Sequence, residues 1–122
     1  MDKFSFTKEH IYIGYIRTLD SFTTALRDED EVTVGTRVFE DLDIYIRTYL
    51  CGKNLRIYLD EGWIDRDIAE KSRGLYDTFC SLQKSSPELW NVEAVKNAEE
   101  WRILMELSED IRAALYYIPD ME

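Results

Sequence analysis

This chain of 122 residues is short of histidine, with one, and has only two cysteines, five glycines and two prolines. Nor does it contain an apolar run of the roughly 18 residues that a membrane helix needs. Each shortage excludes something. The lone His10 has no Ser or Cys nucleophile nearby in sequence, so no catalytic triad can be assembled around it, and it reads as a surface residue. Cys51 and Cys80 follow neither CxxC nor zinc-ligand spacing and read as reduced, mostly buried small hydrophobes. Five scattered glycines leave no room for a phosphate-cradling loop or a dinucleotide fingerprint, and no zinc-protease helix motif occurs. Positive charge is also scarce: 15 Lys and Arg stand against 25 Asp and Glu, a net charge of -10. A field of that sign repels polyanions, which sets aside nucleic acid as a direct ligand. Met1 to Phe6 shows no basic region leading into an apolar stretch, so no secretory leader is expected and the predicted location is the cytoplasm.

What is present is apolar and aromatic: 45 % of residues are hydrophobic and 13 % aromatic, enough for one self-sufficient core across residues 1–122. The chain is organised around Tyr58-Leu59-Asp60-Glu61-Gly62-Trp63-Ile64-Asp65. Gly62 is the residue type that closes a helix in the left-handed conformation, and Asp65 is the type that caps the next. The stretch therefore predicts a helix-to-helix corner that turns Trp63 and Ile64 inward and leaves Asp60, Glu61, Asp65 and Asp67 in solvent.

Three- and four-residue apolar spacing predicts the remaining elements. Thr7 caps a first helix running to about Arg27 along Ile11, Tyr12, Tyr15, Ile16, Leu19, Phe22 and Leu26. Asp28-Glu29-Asp30-Glu31 and the following residues to Gly35 read as an exposed loop, because adjacent carboxylates demand water. A second helix from about Thr36 carries Val38, Leu42, Tyr45, Ile46 and Tyr49 as its buried stripe, with Glu40, Asp43 and Arg47 on the other face, and ends at Gly52. Asn54 caps a short helix from Leu55 to Glu61. Asp65 opens another, lined by Ile68, Leu75, Phe79 and Leu82 as far as Lys84. Ser86-Pro87 begins a short connector, and Asn97 with Glu100 resembles a capping box for a last helix from Ala98 to about Ile118, which Pro119 stops. The predicted fold class is all-α: a single-domain antiparallel bundle of about four longer helices plus short connecting helices.

The acidic excess falls in two blocks, residues 28–67 and 88–122, each with a net charge of -6. Neither block follows the alternating-ligand pattern of a calcium loop, so no metal and no cofactor is expected, although a metal-dependent hydrolase built on these acids is the enzyme reading to weigh. Aromatic residues beside carboxylates suit a different task, the gripping of a basic protein. The candidate partner-binding residues are Asp28, Glu29, Asp30, Glu31, Glu40, Asp43, Tyr58, Asp60, Glu61, Trp63 and Asp65. Trp63, Tyr58 and Tyr76 are expected to stand partly exposed beside the acids. Glu106, Glu109 and Asp110 of the last helix are expected to do no more than solvate an outer face.

Three stretches carry a family resemblance: Leu59-Asp60-Glu61-Gly62-Trp63-Ile64-Asp65, the tail from Leu89-Trp90-Asn91 to Glu99-Glu100-Trp101, and its continuation Ile103 to Ile111. Together they make the chain resemble the small acidic immunity proteins that accompany bacterial polymorphic toxins, including those of contact-dependent growth inhibition systems. The resemblance implies a non-enzymatic inhibitor that binds the C-terminal effector domain of a cognate toxin, often a nuclease with a basic substrate groove. An acidic helical adapter or regulatory protein that binds another basic partner is the alternative.

Overall fold

The computed structural model describes residues 7–120, so the N-terminal stretch Met1 to Phe6 lies outside the described residues. Among these every regular element is helical. Helix α1 is Lys8–Ser21, α2 Glu31–Thr36, α3 Asp43–Tyr49, α4 Gly52–Asp60, α5 Arg66–Ser85, α6 Val92–Asn97 and α7 Glu99–Ala114. A π-helical segment, Arg37–Leu42, joins α2 to α3 without a break, so 31–49 is one long helix. With α1, α5 and α7 it forms an up-down-up-down bundle of four, while α4 and α6 fill the two ends. Antiparallel pairing is visible in the contacts: Asp20 accepts from Arg112 Nε at 2.8 Å while Tyr12, two turns earlier in α1, donates its hydroxyl to the Tyr117 carbonyl at 2.9 Å.

The central corner forms as its residues dictate. Among the described residues Gly62 alone has a positive φ, 78°, and the Asp65 carboxylate accepts the Ile68 N–H at 2.9 Å to cap α5. Ile64 is buried and Trp63 half-buried.

Elsewhere the elements depart from the sequence reading. The first helix stops at Ser21 rather than Arg27, because Thr24 turns aside to place both its N–H and its hydroxyl 2.8 Å from the Glu109 carboxylate; a 3-10 turn, Thr24–Asp28, follows. The expected loop at 28–35 is largely helix: Asp30 accepts the Thr33 N–H at 2.7 Å as the N-cap of α2, and Glu31 sits in the first turn, where the helix dipole favours a carboxylate. Cys51, not Asn54, stands at the N-cap of α4, and the Asn54 amide donates instead to the Thr48 carbonyl. The Asn97 amide likewise donates backwards, to Glu93, so α7 begins without a side-chain cap, and Asn91 caps α6 instead. Helix α7 ends at Ala114, four residues short of Ile118; the extended segment beyond it buries Leu115 and Pro119 and lays Tyr117 against the core.

The buried stripe of the long helix is Val34, Val38, Leu42, Ile46 and Leu50, a residue at every fourth position. In a pure α-helix such a row would drift by about 40° at each step, and the wider π turn at Arg37–Leu42 takes up the drift. Tyr45 is thereby pushed off the stripe that the sequence reading gave it, and is exposed.

Aromatic rings gather at the two ends of the bundle. Tyr12, Tyr15, Tyr58, Trp63 and Tyr117 make one cluster; Phe22, Phe39, Phe79, Trp90 and Trp101 make the other. Tyrosines dominate the first because each phenol finds a partner: the Tyr15 and Ser72 hydroxyls share a hydrogen bond of 2.6 Å, and Tyr58 donates to the Tyr49 carbonyl at 2.9 Å.

Between α1 and α3 the backbone of α1 comes close because Gly14 has no side chain. A Cβ there would lie 2.3 Å from the Tyr49 ring. Gly14→Ala should gain about 1 kcal/mol of helix propensity and lose about 1–3 kcal/mol to overpacking. Urea unfolding is expected to show net destabilisation in the native background and a gain in a Tyr49→Ala background; the same sign in both would disprove the contact.

Candidate functional site

The candidate residues do not form one patch. Asp28, Glu29, Asp30 and Glu31 are exposed at the end of the bundle where α6 meets α7; Lys96 donates to the Glu29 carbonyl there, and the Arg27 guanidinium donates to the carbonyls of Lys96 and Ala98. Asp60, Glu61 and Asp65 are exposed at the other end, where Glu61 pairs with Lys8, the first residue of α1, at 3.1 Å. The length of α1, about 20 Å, lies between the two groups.

Several of these acids already have a local task. Asp30 and Asp65 are N-caps, and the Thr33 N–H holds the Asp30 carboxyl below the usual carboxylate range. Asp60 pairs with Arg56 at 3.1 Å, and Asp43 with Arg47 at 2.9 Å. Tyr58 departs furthest from expectation: it is fully buried among Tyr12, Tyr15 and the α3 backbone, so it cannot touch a partner. Trp63 is half-buried and stacked on Tyr117, ring centroids 5.3 Å apart at 14°. Tyr76, also half-buried, lies on α5 beside Cys80. In the last helix, Glu109 holds Thr24 and Glu106 bonds Arg102 at 2.6 Å, so these two are structural rather than merely solvated.

On the outer face of 31–49 the sequence reading named Glu40 and Asp43 and missed Asp41, Ile44 and Tyr45. Ile44 is 62 % exposed and Tyr45 43 %, and Glu40 and Asp41 stand exposed one turn before them. Exposed residues recur along the same helix at Val32, Thr36, Glu40 and Asp41, Ile44 and Tyr45, and Thr48, which makes them one continuous face. The face thus leaves Val32, Ile44 and Tyr45 in solvent, with Glu40 and Asp41 beside the last two. The signal was present in the sequence as the four-residue repeat Val34, Val38, Leu42, Ile46, which puts Ile44 and Tyr45 outside.

A cleft of about 630 Å³ runs alongside this face, between α1 and α3. Gly14 is its floor, Tyr45 and Tyr49 form one wall, and Glu9, His10 and Arg17 form the other, with Asp120 at the margin. Glu9 accepts the Tyr117 hydroxyl at 2.8 Å, which raises the Tyr117 pKa. His10 thus borders the cleft from an exposed position on the first turn of α1. The two cysteines are free thiols, both half-buried, and burial pushes the Cys80 thiol up. Among the described residues no three of His, Cys, Asp and Glu gather closely enough to hold a metal ion, and no helix is long and apolar enough to cross a membrane.

The fold and surface define an all-α bundle with an acidic, partly apolar helix face. No protein-family model, curated protein or solved structure matches the chain.

Proposed function

We propose that this protein is an immunity protein: a non-enzymatic inhibitor, acting in the cytoplasm without cofactor or metal, that binds the basic effector domain of a cognate bacterial toxin, a nuclease by preference. The observation that carries the reading is the exposure of Ile44 and Tyr45 beside Glu40 and Asp41 on a helix anchored over its whole length in the core. A rigid helix presents its anchors without an ordering cost, and an aromatic and an aliphatic side chain with two carboxylates one turn before them complement a groove built to hold phosphates. The net charge of -10 adds attraction at long range. The resemblance of the corner and tail stretches to toxin immunity proteins supports the same reading.

The test uses the effector domain encoded next to this protein's gene. Ile44→Ala with Tyr45→Ala should weaken binding by at least about 2 kcal/mol, roughly thirtyfold, as loss of a hot spot does. Glu40→Lys with Asp41→Lys should chiefly slow association, and more so at low salt. Asp60→Lys with Glu61→Lys, at the far corner, should matter less than either. Unchanged protection of cells by the Ile44/Tyr45 variant would defeat the surface assignment. Tight binding to a basic protein with no protection would reassign the chain as an acidic adapter.

A further inference from the structure

A second groove, of about 460 Å³, lies between α4 and α5, and its character is opposite to that of the rest of the surface. Its floor is apolar, made by Leu55, Leu59 and Ala69, and its rims carry Arg56, Arg66 and Arg73 against the single carboxylate of Glu70. The helical repeat assembles it: residues 66, 69, 70 and 73 share one face of α5, and 52, 55, 56 and 59 share one face of α4. In a chain of net charge -10, three arginines lining one depression need a reason.

Helix stability does not supply one. Arg66 opens α5, at the end where the helix dipole favours an anion, and among the described residues it makes no ion pair or hydrogen bond. Arg56 and Arg73 do pair on their own helices, with Asp60 at 3.1 Å and Asp77 at 3.9 Å, but both contacts use Nε and leave the terminal nitrogens open. Such exposed pairs contribute little and yield readily to a better acceptor. Arg73 also reaches across the groove, where its Nη1 comes within 4.0 Å of the place a Cβ on Gly52 would occupy.

We propose that this groove binds a small phosphate ester with an apolar body, its phosphate held by the guanidinium forks of Arg66 and Arg73 and its body on Leu55, Leu59 and Ala69. Guanidinium groups match phosphate oxygens two at a time, and the volume falls within the range of small-molecule sites. The ligand is small because the field of the whole chain opposes a polyanion, while one phosphate feels chiefly the local arginines. This site is separate from the Ile44 and Tyr45 face, and either can fail without the other.

Phenyl phosphate is the probe, followed by amide chemical shifts on the full-length protein, with phenol and inorganic phosphate as its two halves. Saturable shifts are expected at Gly52, Leu55 and Ala69, with both halves binding more weakly than the ester. Arg66→Gln and Arg73→Gln should each weaken the ester about tenfold, as loss of a charge-assisted hydrogen bond does. Glu70→Gln should tighten it, and Glu88→Gln, the same charge change elsewhere, should not. Unchanged shifts at Ile64 and Phe79 report that each variant is folded. The proposal is overturned by absence of saturable shifts in the groove, by inorganic phosphate or phenol binding as well as the ester, or by variants Arg66→Gln and Arg73→Gln that bind normally.

Discussion

Raising the pH above 10 is expected to unfold this protein within about two units, because three fully buried tyrosines must ionise. Burial pushes the Tyr12 phenol up to about 12, and raises Tyr15 and Tyr58 as well, Tyr15 against the lowering influence of its Ser72 hydrogen bond. A raised folded-state pKa means that the native chain keeps protons which the unfolded chain gives up. The stabilisation is therefore complete below the unfolded value near 10 and disappears as pH rises toward the folded value. Each group forfeits up to about 1.4 kcal/mol per pH unit in that window, and three together about 4. Two units of such a slope remove up to about 8 kcal/mol, which exceeds the stability of a domain in the lower half of the ordinary range of about 5–15 kcal/mol. Far-ultraviolet dichroism and phenolate absorbance should change together and cooperatively above pH 10. If all eight tyrosines titrate near the free-phenol value while the helix signal persists, the buried cluster is wrongly placed.

Replacement of Trp101 by alanine should cost about 3–5 kcal/mol, a large share of the total stability of a domain this size. Its indole is completely buried, touches Phe22, Phe39, Phe79 and Trp90, and donates Nε1–H to the Leu89 carbonyl at 2.6 Å. Leu89 precedes the turn into α6, so the same side chain fills the core and fixes the connector between α5 and α7. Trp101→Phe separates the two roles. It keeps most of the ring volume but leaves the Leu89 carbonyl unpaired, at about 1–3 kcal/mol. Urea midpoints for the two variants should fall in that order, and equal midpoints would mean that the hydrogen bond carries all the effect.

Local signals made much of the fold readable before the structure. The corner was legible because a glycine followed by a capping aspartate has one low-energy use, and the core faces of α5 and α7 were legible because their apolar residues recur with the period of an α-helix. Two kinds of information were not. The π turn changes the period inside a helix, so a reading fixed at three and four residues placed Tyr45 in the core and Ile44 nowhere. Where Thr24 directs its side chain depends on what lies beside it in the fold, and it meets Glu109 from the far end of the sequence. For the candidate site, charge identified the exposed acids, yet it could not tell that Asp30 and Asp60 stand at opposite ends of a bundle or that Tyr58 lies beneath the surface. The arginine groove was spelled in two separate stretches, each ordinary alone, and acquires its meaning only when α4 packs on α5.

The π turn also bears on how the length of this chain can change. Removing one residue from most helices rotates everything beyond it by about 100° and carries its core face into solvent. Between Val38 and Leu42, removal of one residue would instead leave buried positions spaced by four, three, four and four, which an ordinary α-helix accommodates on one face. The long helix thus holds one residue more than its packing requires. That surplus falls on the outer side, where it lets Glu40 and Asp41 stand together ahead of Ile44 and Tyr45, so the density of negative charge on the proposed docking face is set by a miscount in the helix beneath it.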